Sequence, residues 1–300
     1  MKYNKNNPRD YYASKDTFKS EIDDVHAFPR TDFEAGMHMQ EFFEINIITG
    51  GKGRHYIEDN SIATGVGDVF IIPPKVKHGF RGGKGFDVFH VLISDRFIEK
   101  NMSDLQLLPS FFTLFEVEPL MRGKGNNALH LKLTDEQFLQ LNELLNVSLR
   151  HRNLLDEFDC LARKGFAVLL IAFLCKVYSE NVDSSRDGEL NGDEAFLKAI
   201  AHIHEHYYEK ISIDTLAKIA RLSRSTFIRK FNDICKMPPS DYIINRRIEA
   251  AEYMILNTSY SLLDVAFKCG FYDAAHFSRI FTKRKGISPS EYRKSKASVS

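Results

Sequence analysis

The sequence has no cysteines spaced as a CxxC pair. Its four cysteines, Cys160, Cys175, Cys235 and Cys269, are scattered along the chain. That excludes a zinc ribbon and a disulfide framework, and it fits buried thiols in a reduced compartment. Long apolar runs are missing too. The longest, FAVLLIAFLC from Phe166 to Cys175, has ten residues, half of what a bilayer-spanning helix needs, and reads as a buried helix. The first residues, MKYNKNNPRDYYASKD, are polar and lack the apolar core of a secretory signal. The expected location is therefore the cytoplasm, with no membrane partner. Nor is there a strong charge of either sign, since 41 Lys+Arg against 40 Asp+Glu leave +1.

That near-neutral total hides a division. From Asp193 onward there are 18 Lys+Arg and 12 Asp+Glu, or +6, whereas the first 192 residues carry 23 and 28, or −5. A basic back half suggests a polyanionic partner, although a solvated basic face would have the same composition. Three hundred residues, 43% apolar and 27% charged, leave room for two globular domains.

Residues 1–35 are polar and read as an N-terminal lead-in. Residues 36–130 carry short β-branched and aromatic runs, FFEINIITGGKGRHYIEDN, ATGVGDVFIIPP and FDVFHVLI, punctuated by Gly, Pro and Asn-Ser. Such spacing argues for an all-β barrel or sandwich. Within 131–180 the period becomes helical. TDEQFLQLNELLNVSLRH opens on Thr134 as an N-cap, and a second helix from about Asp156 to Ser179 completes an antiparallel pair. This pair is the expected dimerisation segment. Residues 181–193 are polar and form the linker, and 194–296 read as helices separated by short turns.

The back half repeats itself. TLAKIARLSRSTFIRKF (Thr215–Phe231) matches DVAFKCGFYDAAHFSRIF (Asp264–Phe281): Leu216-Ala217 against Val265-Ala266, and Phe227, Arg229, Phe231 against Phe277, Arg279, Phe281. Each unit is a short helix with a small residue, a turn, and a second helix with an i,i+4 aromatic pair, which is the signature of helix-turn-helix. Arg229 and Arg279 stand two residues from an inward Phe, about 200° around the helix, and so face outward. Units at 212–233 and 261–285 are joined by PSDYIINRRIEAAEYMIL, long enough as a helix to set two reading helices nearly one DNA turn apart. HIHEHYY puts His202, His204 and His206 on different helix faces and reads as polar residues facing solvent, not as a metal site. Arg246 and Arg247 read as phosphate contacts or as ion-pair partners of Glu249 and Glu252.

Residues 196–293 resemble the DNA-binding domain of AraC/XylS-type transcriptional regulators. The stretch HFSRIF followed by GISPSEYR is its most specific part. The resemblance implies two helix-turn-helix motifs with recognition helices around Arg224–Phe231 and Ala274–Lys283. Arg224, Ser225 and Arg229 in the first, and Ala274, Ala275, His276, Ser278, Arg279 and Thr282 in the second, are the DNA-binding candidates. Two departures stand out: Lys230 where an apolar residue is common, and Lys236-Met237 in place of the usual glycine.

The front half resembles a cupin. GMHMQEFFEINIITGG supplies His38, Gln40, Glu44 and Gly51, and GDVFIIPPKVKHGF supplies Gly67, Pro73 and His78. Metal-binding cupins use two His and a Glu from the first motif and a His from the second. Here Gln40 replaces one His, which leaves His38, Glu44 and His78 as a reduced set. Sensor domains of AraC-type regulators resemble cupins without using metal, so no metal, no cofactor and no catalytic residue is expected. The candidate ligand-binding residues are His38, Gln40, Glu44, Arg54, His55, Tyr56 and His78. Polar groups with aromatic faces suit a sugar or related metabolite, whereas an aromatic effector would call for an apolar pocket.

The expected architecture is thus a cupin-like barrel, a helical pair and an all-α domain with two helix-turn-helix motifs joined by a long helix. The expected function is effector-controlled transcription activation. Its partners would be promoter DNA, RNA polymerase and a second copy of the chain. The rival is a metal-dependent cupin enzyme with a helical appendage.

Overall fold

The computed structural model describes residues 11–18, 20, 22–108, 110–123, 130–151, 156–184 and 192–297. Most of the expected linker, 185–191, lies outside the described residues. The chain divides into two units, Met1–Asp193 and Glu194–Ser300.

The first unit opens with β1 (Tyr11–Tyr12), α1 (Ser14–Thr17), β2 (Val25–Arg30), β3 (Ala35–Gln40), β4 (Phe43–Gly50) and β5 (Lys52–Ile57). β6 (Asn60–Gly65), β7 (Asp68–Ile72), β8 (His78–Gly82) and β9 (Asp87–Ile93) follow. Then come α2 (Asp95–Leu105), a π-helical stretch (Thr113–Val117), α3 (Glu118–Gly123), β10 (Leu131–Lys132), α4 (Asp135–Ser148) and α5 (Glu157–Ser184). The strands form two five-stranded sheets, ordered β1-β3-β8-β5-β6 and β10-β7-β4-β9-β2.

The two-residue period of a strand explains how both faces of the second sheet are used. Ile48 on β4, Phe70 on β7 and Val88 on β9 point toward the first sheet and pack with Ile62, Phe80 and Phe86. Their neighbours Ile45, Ile47, Val69, Ile71, Val91 and Ile93 point the other way, onto Phe166, Leu170, Ile171 and Leu174 of α5. A sheet covered on both faces has no polar side, so DVFII on β7 is buried throughout.

The sheet begins at Val25, inside the stretch expected to be a polar lead-in. β2 pairs antiparallel with β9 along its length, from Val25↔Ile93 to Arg30↔Val88. Pro29 lies within this strand and lacks a backbone N–H. β2 is an edge strand, however, and there a missing backbone donor costs nothing.

Thr134 caps α4 as its sequence indicates. Its hydroxyl accepts from Gln137 N at 3.2 Å, and Gln137 Oε1 accepts from Thr134 N at 3.0 Å, a reciprocal capping box. α4 and α5 run antiparallel, since Gln137 at the start of α4 meets Asn181 near the end of α5, and His151 after α4 meets Asp159 near its start. The apolar decapeptide buries only one side. Phe166, Ala167, Leu170, Ile171, Leu174 and Cys175 are buried, while Val168 and Leu169 are exposed, because a helix docked on a sheet hides one face. Among the described residues, no helix is long and apolar enough to cross a membrane.

The second unit comprises α6 (Gly192–His206), α7 (Ile213–Ile219), α8 (Arg224–Cys235), α9 (Pro239–Asn257), α10 (Leu262–Lys268), α11 (Ala274–Lys285) and α12 (Pro289–Ala297). Each short helix starts on a side-chain cap: Ser212, Ser223, Ser261 and Asp273 accept from the backbone N–H of Thr215, Thr226, Asp264 and His276. Ala217 and Ala266 are buried where the helices of each pair cross.

Lys236 at the end of α8 is left-handed, φ 56°, and Gly286 at the end of α11 holds the matching place at φ 80°. The departure from glycine is therefore tolerated at a conformational cost. Lys236→Gly should stabilise the chain by about 0.5–1 kcal/mol, because the contact given up, with Asp233 at 3.8 Å, is an exposed pair of little worth. Urea unfolding would measure it, and a lowered midpoint would refute the account.

Candidate ligand cavity and nucleic-acid interface

Between the sheets lies a cavity of about 200 Å³ lined by His38, Gln40, Glu44, His78 and His90 among Phe28, Phe33, Phe42, Phe80 and Leu92. A wider, more open hollow shares Tyr12, Arg30, Phe33, Ala35 and His38 with it. Alternation along β4 turns Glu44 inward, and the His38↔His78 register between β3 and β8 sets those two rings 4.3 Å apart.

Glu44 is the hub. One carboxylate oxygen lies 3.1 Å from His78 Nε2 and the other 2.8 Å from His90 Nδ1. Burial would raise its pKa, but these two histidines outweigh burial and hold the carboxyl well below its ordinary value. His38 moves the opposite way from a free imidazole gaining a partner: burial, and then charge on His78, push it down to about 4. The Gln40 amide is 1% exposed, and among the described residues neither its nitrogen nor its oxygen has a hydrogen-bond partner.

Of the seven ligand candidates, the fold brings His38, Gln40, Glu44 and His78 to the cavity wall. His55 is fully buried behind that wall, its ring stacked on Phe80 at 4.4 Å. Arg54 and Tyr56 alternate to the other face of β5, where Arg54 bonds Ser61 and Tyr56 lies beneath Arg81. A contiguous trio on one strand cannot line one cavity. His90, Phe28 and Arg30 were missed by motif matching. A histidine inside the apolar run FDVFHVLI was the available signal, since a polar residue at an inward position needs a partner.

In the second unit, Phe227, Phe231, Phe277 and Phe281 are buried. Ser225, Arg229 and Asn232 on α8, and Ala275, Arg279 and Thr282 on α11, are exposed at spacings of four and three or so along one helical stripe. Among the described residues no ion pair ties Arg229 or Arg279. Arg224 is exposed but paired with Asp214 at 2.8 Å. Ala274, His276 and Ser278 are half-buried beside the stripe, and His276 leans on Phe271 at 5.8 Å. Asn232 was not singled out from sequence; its place seven residues after Ser225 was the clue.

Other basic residues serve the fold. Arg246 is buried against Glu249 and the Tyr207 ring, and Arg247 donates to Tyr207 O and Glu209 O at 2.7 Å. Lys230 lies 4.9 Å over the Phe196 ring, which accounts for a cation where an apolar residue is common. His204 is buried and bonded to Tyr242, so it is no surface residue, whereas His202 and His206 share one helix face with rings 4.3 Å apart.

Comparison with known proteins agrees with both halves. Residues 25–163 match the model of the AraC-like ligand binding domain, and residues 216–295 match a helix-turn-helix domain model. The HTH-type transcriptional activator RhaS of Enterobacter sp. (strain 638) is 24% identical, with 85% of this chain and 86% of that protein aligned. RhaS of Klebsiella pneumoniae (strain 342) is 23% identical over 95% of this chain and 98% of its own. The crystal structure of the DNA-binding domain of AdpA in complex with a target DNA is 31% identical, covering 34% of this chain and 91% of that one, with a TM-score of 0.33. A ligand-binding barrel followed by paired helix-turn-helix units, matched by models of both parts, places this chain in the AraC/XylS family of ligand-controlled, DNA-binding transcriptional regulators.

Proposed function

We propose that this regulator is a cytoplasmic activator that binds promoter DNA as a homodimer and answers to a sugar or related small metabolite in the barrel. The observation that carries the reading is the pair of exposed stripes, Ser225/Arg229/Asn232 and Ala275/Arg279/Thr282, on two capped helices joined by the nineteen-residue α9. That rod is about 28 Å long, a little less than one DNA turn. Arg229 and Arg279 would bridge guanine O6 and N7, and Asn232 an adenine, while Arg224, Ser225, Ser278 and Thr282 reach phosphate or base edge and Ala274, Ala275 and His276 allow close approach.

In the barrel, His38, Gln40, Glu44, His78 and His90 offer hydrogen bonds between aromatic walls, a mixture that suits hydroxyls on a carbon frame. Tyr12 of the N-terminal lead-in stands at the rim, edge-on to His38 at 5.3 Å, so an occupant would bias how that segment is held. Phe158, Leu161, Val168 and Leu169 form an exposed apolar stripe on α5, which supports self-association through this helix. The relatives' names as transcriptional activators support activation, and with it contact to RNA polymerase.

Titration of the full chain against the DNA upstream of its own and neighbouring genes, over a salt series and with a panel of sugars, tests this. Tight, selective, steeply salt-dependent binding that a sugar alters is expected. Binding indifferent to sequence would overturn the reading. Arg279→Ala should weaken specific binding by about 1–3 kcal/mol and relax one base position. Uniform loss on all sequences would make Arg279 a phosphate contact only.

A further inference from the structure

On the reading that the barrel holds the effector, we infer that this effector is a small polyhydroxy acid, a sugar acid by class, whose carboxylate is taken by Arg122. The guanidinium of Arg122 is 0% exposed. From α3 it lies against β7, where Nη2 donates to Ile71 O and the guanidinium carbon stands 5.3 Å over the Phe70 ring. Among the described residues, Nε and Nη1 have no hydrogen-bond partner. The neighbouring carboxyl, Glu118, stands 3.6 Å from Nη2, and its Oε1 is bare as well. Burial outweighs the nearby Arg122 and His130 and raises Glu118 to about 7. At neutral pH it is then protonated about half the time, so the buried cation is incompletely balanced. Water could fill bare N–H groups but brings no charge, whereas an oxyanion supplies both acceptor and charge. The planar guanidinium fork matches a carboxylate, and a phosphate dianion would carry more charge than one arginine offsets.

Independent observations give the rest of the ligand. His55 and Asn46 are fully buried, and among the described residues neither nitrogen of the one nor either amide atom of the other is partnered. The His55 ring lies 4.4 Å from that of Phe70, the ring beneath Arg122. Burial, and then the charge of Arg122, hold His55 well below its ordinary pKa, so it is neutral. Asn46 stands in register with Phe70 on β7 and with His90 on β9, which puts the three side chains on one inner face. His90 lines the cavity, and its Nε2 is also bare. Bare polar groups therefore continue from the cavity wall, at Gln40 and His90, through Asn46 to His55 and Arg122. A neutral imidazole and an amide each donate and accept, which suits hydroxyls, while a guanidinium only donates. One end of this array fits an anion and the remainder fits hydroxyl groups.

Calorimetric titration of the full-length protein with matched pairs tests this: galacturonate against galactose, glucuronate against glucose, glycerate against glycerol. Within at least one pair the acid should bind about 10–100-fold more tightly than its neutral partner, the range of a charge-assisted hydrogen bond. Arg122→Gln should erase that advantage, with dichroism to confirm that the variant is folded. Glu118→Gln keeps the shape and removes a competing carboxylate, so it should widen the acid's advantage by about tenfold. This second variant keeps the test decisive if Arg122→Gln does not fold. Equal affinity within every pair, or an acid preference that Glu118→Gln does not widen, overturns the inference. Neutral compounds that bind and alter DNA binding, while the acids do neither, would sink the carboxylate and leave the effector reading standing. Binding by none of these compounds, with DNA affinity indifferent to all of them, would remove both.

Discussion

Gly270→Ala should destabilise the second unit by about 2–4 kcal/mol and abolish DNA binding at temperatures the parent tolerates, without removing a single side-chain contact. Gly270 has φ +81°, and a Cβ there would stand 2.5 Å from Tyr208 O and 2.8 Å from Tyr208 C. Those are backbone atoms at the end of the loop that Arg247 anchors, so no rotamer change relieves the clash. Two neighbours separate conformation from contact. Arg221 takes the same place in the first motif at φ 55°, so a left-handed residue other than glycine is admissible there. Gly286 is also left-handed, φ +80°, but its Cβ would meet open space. Gly286→Ala should therefore cost only about 1 kcal/mol, the backbone penalty by itself. Urea unfolding of the full chain, followed by far-ultraviolet dichroism beside DNA binding, compares the two. If Gly270→Ala costs no more than Gly286→Ala, the close approach to Tyr208 is not what demands glycine.

The second large effect lies in the first unit. Arg163 on α5 is 2% exposed, and its guanidinium donates to Val25 O at 2.8 Å and His151 O at 3.2 Å while facing Asp23 at 3.7 Å. It ties the start of β2 to the turn after α4. Arg163→Met removes the charge but keeps much of the volume. It leaves two carbonyls short of a donor and takes the guanidinium away from Asp23, itself 3% exposed and bonded to His26. Breaking a buried pair from one side costs about 3–5 kcal/mol, which for a unit of this size lowers the melting temperature by roughly 6–20 °C. Replacing both partners by apolar residues, Arg163→Met with Asp23→Leu, should recover much of the loss, since a buried carboxylate deprived of its guanidinium is the larger part of the cost. A shift below 2 °C in the single variant would show that the neighbouring clasp of Asp24 with Lys164 and Arg96 holds the junction alone.

Legibility in the sequence followed the range of the physics. Local signals were sufficient for the helical unit. Caps at Ser212, Ser223, Ser261 and Asp273 and paired phenylalanines at i,i+4 act within a few residues, so the two motifs and the outward Arg229 and Arg279 could be read before any fold was known. Thr134 and its partner Gln137 belong to the same class. The barrel depends on strand order and register, which couple residues far apart. Period-two alternation marks Glu44 and Asn46 as sharing a face, but nothing local says that His90, forty-six residues later, will meet Glu44. Val25–Arg30 reads as part of a polar lead-in until pairing with β9 makes it an edge strand. Arg54 and Tyr56 read as cavity residues until the register sends His55 inward and them out.

The sequence by itself therefore determined the family, the two-part design and the paired helix-turn-helix units, because those rest on contacts within one turn or one motif. Only the tertiary structure decided which polar groups share the cavity, which arginines are structural and where glycine is obligatory. Each of those turns on a distance between residues that the chain keeps far apart.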